Sequence, residues 1–404
     1  MVKNQTAVIT TLGALTAIGS LSIDMYLPGF PSIARDLHVD IAHVALSLTS
    51  FFVGISAGQL FFGPIIERYG RRIPLIAGLA VYLLASFGCS LTSSVNALIV
   101  LRFFQALGGC SGMVISRTMV RDIFPISDTA KIFSMLMLIM GVAPIVAPTL
   151  GGFLAEAWGW RYIFFLLTFI AALLLAATIR FLPESKGGDP DVRLYPAAVL
   201  NRFYVVLKQP LFFTYAIVSG FASAGMFAYI SGSPFVFMTL FKVSETQYGW
   251  IFGMNAAGLI LASQINRLLL KKRTSRDIVV VAATLQCLSG IVLFLGTAAG
   301  FIGSVPTFVM IFIYLMMQGF VFPNSTALSL EPFEQNAGIA SALAGSLQMV
   351  IAAAASAAVS YLHNGTAIPM AALIAICSGI SYSCLLAGRA LIRKRLERQP
   401  ALES

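Results

Sequence analysis

Twelve runs of mostly apolar residues dominate this chain, near positions 6–27, 43–65, 73–92, 96–117, 132–155, 160–182, 211–233, 246–266, 277–297, 304–324, 337–360 and 367–388. Each is long enough to cross a bilayer as a helix, which needs about 20 residues. Of the 404 residues 58% are hydrophobic and only 10% charged, whereas a water-soluble domain carries about a quarter charged side chains. A chain of this composition cannot clothe a soluble surface, so a soluble enzyme, a transcription factor and a secreted scaffold are excluded. The runs are continuous and lack the polar–apolar alternation of barrel strands, which excludes a transmembrane β-barrel. The fold class is an all-α polytopic membrane protein.

Charge sets the orientation. An even number of spans places both termini on one side, and of the 26 Lys and Arg residues only Arg35, Arg161 and Lys242 fall at connections on the other side, with Arg102 inside a span. The side that retains basic residues is cytoplasmic. The net charge of +10 therefore has a membrane origin and implies no nucleic-acid partner. The first run reaches Asp24 and Pro28 without a small-residue cleavage site and is expected to stay attached as the first helix. Cys89, Cys110, Cys287, Cys377 and Cys384 lie singly in apolar stretches, and His38, His43 and His363 have no ligand spacing. Neither set predicts a disulfide framework or a metal site.

The longest polar stretch, from Pro183 to Gln209, divides the chain into a six-helix bundle over 1–182, a cytoplasmic linker over 183–209 and a second six-helix bundle over 210–404. An ungapped shift of 199 lays Gly54 on Gly253, Ala57 on Ala256, Leu60 on Leu259 and Arg68 on Arg267. That match hints at a repeat of halves, as in transporters built from two parallel bundles.

Ionisable groups inside a bilayer are costly and mark function by default. The second half has no clearly embedded one; the first has Asp24, near the outer end of helix one, and Arg102, near the outer start of helix four. Both lie roughly 6–9 Å below the outer surface at the helical rise, so the expectation is an ion pair. Thr16, Ser20 and Asp24 share one helix face, and Arg102, Gln105, Gly109 and Met113 share another. These polar faces predict a water-accessible central cavity, with Tyr26 beside it. A carboxylate stabilised by a guanidinium when charged, and by a dry cavity when neutral, can bind and release a proton. The alternative is that Asp24 caps a helix end and Arg102 snorkels outward.

Three segments resemble a known family: Ser22-Ile23-Asp24-Met25-Tyr26-Leu27-Pro28-Gly29-Phe30-Pro31, Gly63-Pro64-Ile65-Ile66-Glu67-Arg68-Tyr69-Gly70-Arg71-Arg72, and Leu101-Arg102-Phe103-Phe104-Gln105-Ala106-Leu107-Gly108-Gly109. Together they are similar to the bicyclomycin-resistance (Bcr/CflA-type) branch of the drug:proton antiporters, within the major facilitator superfamily. The resemblance implies that superfamily's fold, twelve transmembrane helices in two six-helix bundles. In the second segment Gly63 and Gly70 are expected to allow a tight turn and close helix approach. Glu67, Arg68, Arg71 and Arg72 place charges at the inner surface, and Asp122 is expected to join Arg71 in a latch for the outward-open state. Glu67 stands where the family usually has Asp. A fourth stretch, Gly141 to Gly152 with Pro144 and Pro148, is similar to the superfamily's antiporter motif, with Ala143 and Ala147 where Gly is usual. Its prolines remove backbone donors and its small residues let a neighbouring helix approach.

The second half is expected to supply ligand surface. Phe227 and Tyr229, in a helix also rich in Phe and Met, and the dispersed polar Asn255 and Gln318 are its candidates; aromatic and Met side chains repack around differently shaped apolar molecules. The resulting expectation is a multi-pass, monomeric carrier of the bacterial inner membrane, with both termini cytoplasmic. It would export small apolar or amphipathic drug-like compounds by alternating access, driven by the proton gradient and needing no cofactor. A proton-coupled metabolite exporter or nutrient importer is the rival within transport. An integral-membrane enzyme or receptor is the remote one, without a metal cluster, phosphate loop or Ser/His pair to support it.

Overall fold

The computed structural model describes residues 5–189, 203–301, 303–333 and 337–398. Its helices are α1 Gln5–Asp24, α2 Phe30–Asp36, α3 Ile41–Tyr69, α4 Arg72–Leu91, α5 Val95–Ile123, α6 Ile126–Ala157 and α7 Arg161–Phe181, then α8 Pro210–Ser233, α9 Glu245–Leu269, α10 Ser275–Ala298, α11 Ser304–Leu330, α12 Ala337–Tyr361 and α13 Ile368–Arg398. A 3₁₀ turn at Leu27–Gly29 joins α1 to α2, and α8 continues as a π-helical segment, Pro234–Leu240. Apart from α2, every one is long enough to span a bilayer, and 11 are also apolar enough. The exception is α9, in which Gln247, Asn255, Gln264, Asn266 and Arg267 dilute the apolar run. The short α2 lies outside the twelve expected windows. It forms because Pro28 starts the 3₁₀ turn and Pro31 sits in the first turn of α2, where a missing N–H costs nothing.

Two compact units emerge, Met1–Leu194 with Ser233–Met254, and Tyr195–Gly232 with Asn255–Ser404. In the first, α5 is central: α3 and α4 run along it, α1 packs on α5 and α6, and α7 on α4. In the second, α10 lies along α11 and α13, around a core that includes Tyr215, Val218, Ala222, Ala262, Val279 and Leu385. Outward faces carry bare apolar side chains such as Leu84, Leu138, Phe169 and Val281, as lipid-facing helices do.

The repeat of halves reappears as packing, but not at the shift of 199. Gly54 abuts the Phe103 carbonyl and Ala106 of α5, whereas Gly253 abuts the Ile145 carbonyl of α6. The contacts that correspond are Gly54 on Phe103 with Gly258 on Phe312, and Gly58 on Cys110 with Ala262 on Gly319. They share one shift of 204 in α3 and α9 and one of 209 in α5 and α11. An ungapped comparison picks up small residues of the right type on the wrong helix face, because adding or dropping one residue rotates a helix by about 100°.

Candidate functional site

Behind Asp24 the chain does not leave the bundle. Met25, Tyr26, Leu27, Pro28, Gly29 and Phe30 are all buried, so the first family-like segment is tucked among α3, α6 and α7. The Tyr26 hydroxyl pairs with Ser47 Oγ on α3 at 2.7 Å, and its ring packs against Phe30 and Phe164.

Arg102 is fully buried. Its Nη1 donates to Gln105 Oε1 at 2.5 Å and its Nη2 to the Ser22 carbonyl at 3.0 Å. The guanidinium carbon sits 4.2 Å from the Phe51 ring centroid, 4.6 Å from that of Tyr26 and 5.8 Å from that of Phe164. The expected ion pair with Asp24 is not formed: no cation stands within ion-pair reach of that carboxylate among the described residues. The reason is azimuth. Two residues turn a helix by about 200°, so with Ser22 facing α5, Asp24 faces away from it. Aromatic faces and carbonyls, rather than a carboxylate, carry the buried charge.

Around this cation lies a closed polar network. Gln105 Nε2 donates to Ser86 Oγ at 2.7 Å, and Ser22 Oγ pairs with the Tyr82 hydroxyl at 2.7 Å. Gly109 packs on the Tyr82 ring and on Ile18, and Met113 lies against Gly19. Of the residues expected to line an open cavity in the first half, Tyr26, Gln105, Gly109 and Thr16 are therefore enclosed, with Thr16 bonded to the Gly13 carbonyl. Ser20 and Met113 are half-buried, and Asp24 retains 5% exposure. Ser47, Tyr82, Ser86 and Phe164 escaped the sequence reading, and Ser22 and Phe51 were given no role in it. Tyr82 and Ser86, four apart on an apolar helix, were the signal available.

At the opposite ends of the same helices Arg71 meets Asp122 as expected, Nε to Oδ2 at 2.9 Å, and its Nη1 donates to the Ile66 carbonyl at 2.6 Å. Gly70 takes φ +80°, a conformation that a side chain resists. Gly63 makes no turn: α3 runs through it and Pro64 to Tyr69, with nothing near the position of a missing Cβ. The unforeseen partner is Glu184, which accepts from the backbone N–H groups of Arg71 (2.7 Å) and Arg72 (3.1 Å) at the start of α4. Anions favour that helix end. Ser185 Oγ donates to Asp122 Oδ2 at 3.0 Å, and the Asp189 N–H donates to the Glu67 carbonyl at 2.9 Å. The start of the linker thus folds back over the α3–α4 turn. Arg72 Nη2 reaches the Ile179 carbonyl at 2.6 Å, Arg68 stacks on Tyr69, and the Glu67 side chain points to the exposed surface. Asp122→Ala is expected to lower the melting temperature in detergent, by leaving the Arg71 guanidinium short of its acceptor, at a cost of about 2 kcal/mol. Glu184→Gln should cost less, and together the two should fall short of additive because both act on Arg71; differential scanning fluorimetry of the four proteins reads the cycle.

Pro144 and Pro148 lie within an unbroken α6. Small residues on this helix meet backbone directly, Gly151 against the Met25 carbonyl and Gly152 against that of Glu245, while Gly249 approaches the Pro148 carbonyl. In the second unit Asn255 Nδ2 donates to the Tyr229 hydroxyl at 3.0 Å, both buried with Phe227, and Gln318 bonds Gln286 and Ser223. The second half is therefore more polar inside than its sequence led us to expect.

The Major Facilitator Superfamily profile matches residues 12–357. The chain is 35% identical over 379 residues, covering 92% of each chain, to an uncharacterized MFS-type transporter, YdgK, of Bacillus subtilis. It is 31% identical to the bicyclomycin resistance protein homolog of Haemophilus influenzae, over 92% of this chain and 94% of that one. Among solved structures, a bacterial homolog of the human lysosomal transporter Spinster, in an inward-facing and occupied conformation, superposes with a TM-score of 0.77 at 14% identity, over 95% of this chain and 96% of that one. With its helices, its buried charges and its relatives in agreement, this chain is a multi-pass membrane transporter that belongs to the major facilitator superfamily.

Proposed function

We propose that the chain exports small apolar or amphipathic compounds, antibiotics among them, in exchange for protons, by alternating access in the bacterial inner membrane with both termini in the cytoplasm. One chain suffices, because it carries both bundles. The observation that supports this reading most is the pair of ionisable groups buried within the spans and held apart: among the described residues Asp24 has no cation in ion-pair reach and Arg102 no carboxylate. A bare carboxylate is costly in a dry apolar setting. Enclosing Asp24 and protonating it therefore go together, and opening it to water or towards Arg102 favours release. Each proton entering is driven by about 2.3 kcal/mol per 100 mV of inside-negative potential. The bicyclomycin-resistance relative supports a drug-like cargo.

Asp24→Asn is the test. In an efflux-deficient host it should reach the membrane in normal amount yet export at the protonophore-treated background; undiminished protonophore-sensitive export would remove Asp24 from the coupling. One observation favours uptake of a polar nutrient instead, namely the buried amides of the second unit. Proton movement on adding substrate to proteoliposomes separates the two, since antiport and symport run the proton in opposite directions relative to the solute.

A further inference from the structure

A chain of side-chain amides crosses the second unit, and proton handling makes no use of it. Gln286 Nε2 on α10 donates to Gln318 Oε1 on α11 at 2.9 Å, and Gln318 Nε2 donates to Ser223 Oγ on α8 at 2.8 Å. Gln348 Nε2 on α12 donates to the same Oγ at 3.0 Å. Three helices thus meet at one hydroxyl, and a fourth joins them through Gln318. Gln286, Gln318 and Ser223 are buried, while Gln348 is half-buried and forms the accessible end.

As packing alone this arrangement is poor. Leu or Met at these positions would join the helices without desolvating three amides, and Gln286 Oε1 is left buried without a hydrogen-bond partner among the described residues. Buried polar groups in a membrane bundle persist where they serve a pathway or a ligand.

The first unit shows what differs. There α5 reaches α1 through a guanidinium on the Ser22 carbonyl and α4 through Gln105 on Ser86. The matching helices of the second unit are joined by the Tyr314 hydroxyl on the Ala222 carbonyl and by Gln318 with Gln286. Among the described residues one unit buries charge, and the other neutral groups that both donate and accept. A neutral lining of this kind discriminates by paired hydrogen bonds, because a mismatched partner leaves its buried groups unfilled. Gln348 spends one N–H on Ser223, which leaves its carbonyl and its second N–H side by side at the accessible end.

We propose that Ser223, Gln286, Gln318 and Gln348 form a hydrogen-bonding subsite for an uncharged substrate group with a carbonyl beside an N–H, as in a lactam or carboxamide. This rests on the export reading and names a substrate class for it. The Gln348 N–H meets the ligand carbonyl, its carbonyl meets the ligand N–H, and the amides behind it hold its orientation.

The test uses the full-length chain in nanodiscs, titrated with an uncharged aryl lactam bearing a free N–H, its N-methyl counterpart and tetraphenylphosphonium. The free lactam should bind about tenfold more tightly than the methylated one, since one of two paired bonds is lost. Gln348→Leu should bring the pair within about twofold and leave tetraphenylphosphonium binding unchanged. Gln348→Asn, which keeps the amide but shortens its reach, checks that the site tolerates substitution and should give an intermediate preference. Equal or absent binding of the two lactams by the unaltered chain, or a preference that survives Gln348→Leu, would overturn the subsite. Proteoliposome transport of the same lactam separates this from the export reading: a binding preference without proton-driven export sinks export and leaves the subsite standing, and export without a preference does the reverse.

Discussion

Arg102→Met is expected to fold about as well as the unaltered protein and yet to lose proton-driven export by at least about 100-fold. The two halves of this outcome have different causes. The guanidinium is fully buried, with no carboxylate in ion-pair reach among the described residues, so its removal relieves a desolvation cost, and a buried charge replaced by an apolar group of similar volume is often tolerated or stabilising. Against that stand the loss of contact with the Phe51 and Tyr26 rings and the stranding of Gln105 Oε1 and the Ser22 carbonyl, at about 1–3 kcal/mol for each buried group. The terms nearly cancel, leaving the melting temperature within a few degrees. Arg102→Ala adds a cavity walled by three rings and should be clearly less stable, by about 3 kcal/mol or more. Thermal unfolding in detergent and energised efflux of the same preparations give both readings; full export by Arg102→Met would show that the buried cation is mere packing.

Gly108→Val should have the largest effect on folding. A Cβ there would stand 2.5 Å from the Gly78 carbonyl and 2.6 Å from the Tyr82 nitrogen, both backbone atoms of α4. Side chains can turn aside, but a helix backbone cannot. To admit the group, α4 and α5 must part, which pulls Gln105 from Ser86 and exposes the network around Arg102. Overpacking costs about 1–3 kcal/mol where neighbours yield, and here they do not, so the expected result is little folded protein in the membrane fraction and aggregation on size exclusion. Gly63→Val is the control in the same bundle, since nothing lies within 4 Å of its missing Cβ. A monodisperse Gly108→Val protein of normal melting temperature would mean that α4 and α5 do not meet backbone to backbone at this glycine.

The number of spanning helices was legible because an apolar run long enough to cross the bilayer is a local property that the bilayer reads directly; their ends, and the short α2, were not. The Arg71–Asp122 pair was legible too, since opposite charges at neighbouring ends of two spans have few other partners. The facing of Asp24 was not. Whether Ser22 or Asp24 meets Arg102 depends on the azimuth of α1, which is set where Pro28 and the buried Met25–Phe30 segment turn back into the bundle. Glu184 was hidden for another reason: its partners are backbone N–H groups, which carry no residue signature. The amide chain stayed invisible because its members stand 32, 95 and 125 positions apart. Each looks like an isolated polar point until four helices bring them together.

The rings that enclose Arg102 come from far along the chain: Tyr26 follows α1, Phe51 belongs to α3 and Phe164 to α7. Tyr26 and Phe51 precede Arg102 in the chain and Phe164 follows it, so during synthesis α5 enters the membrane with the third ring still to come, against an insertion penalty for arginine of about 2.5–3.5 kcal/mol. Only the arrival of α7 completes the enclosure. Ribosome-bound intermediates stopped before Phe164 should leave this span loosely held and open to the insertion machinery, whereas those stopped after it should release a finished bundle.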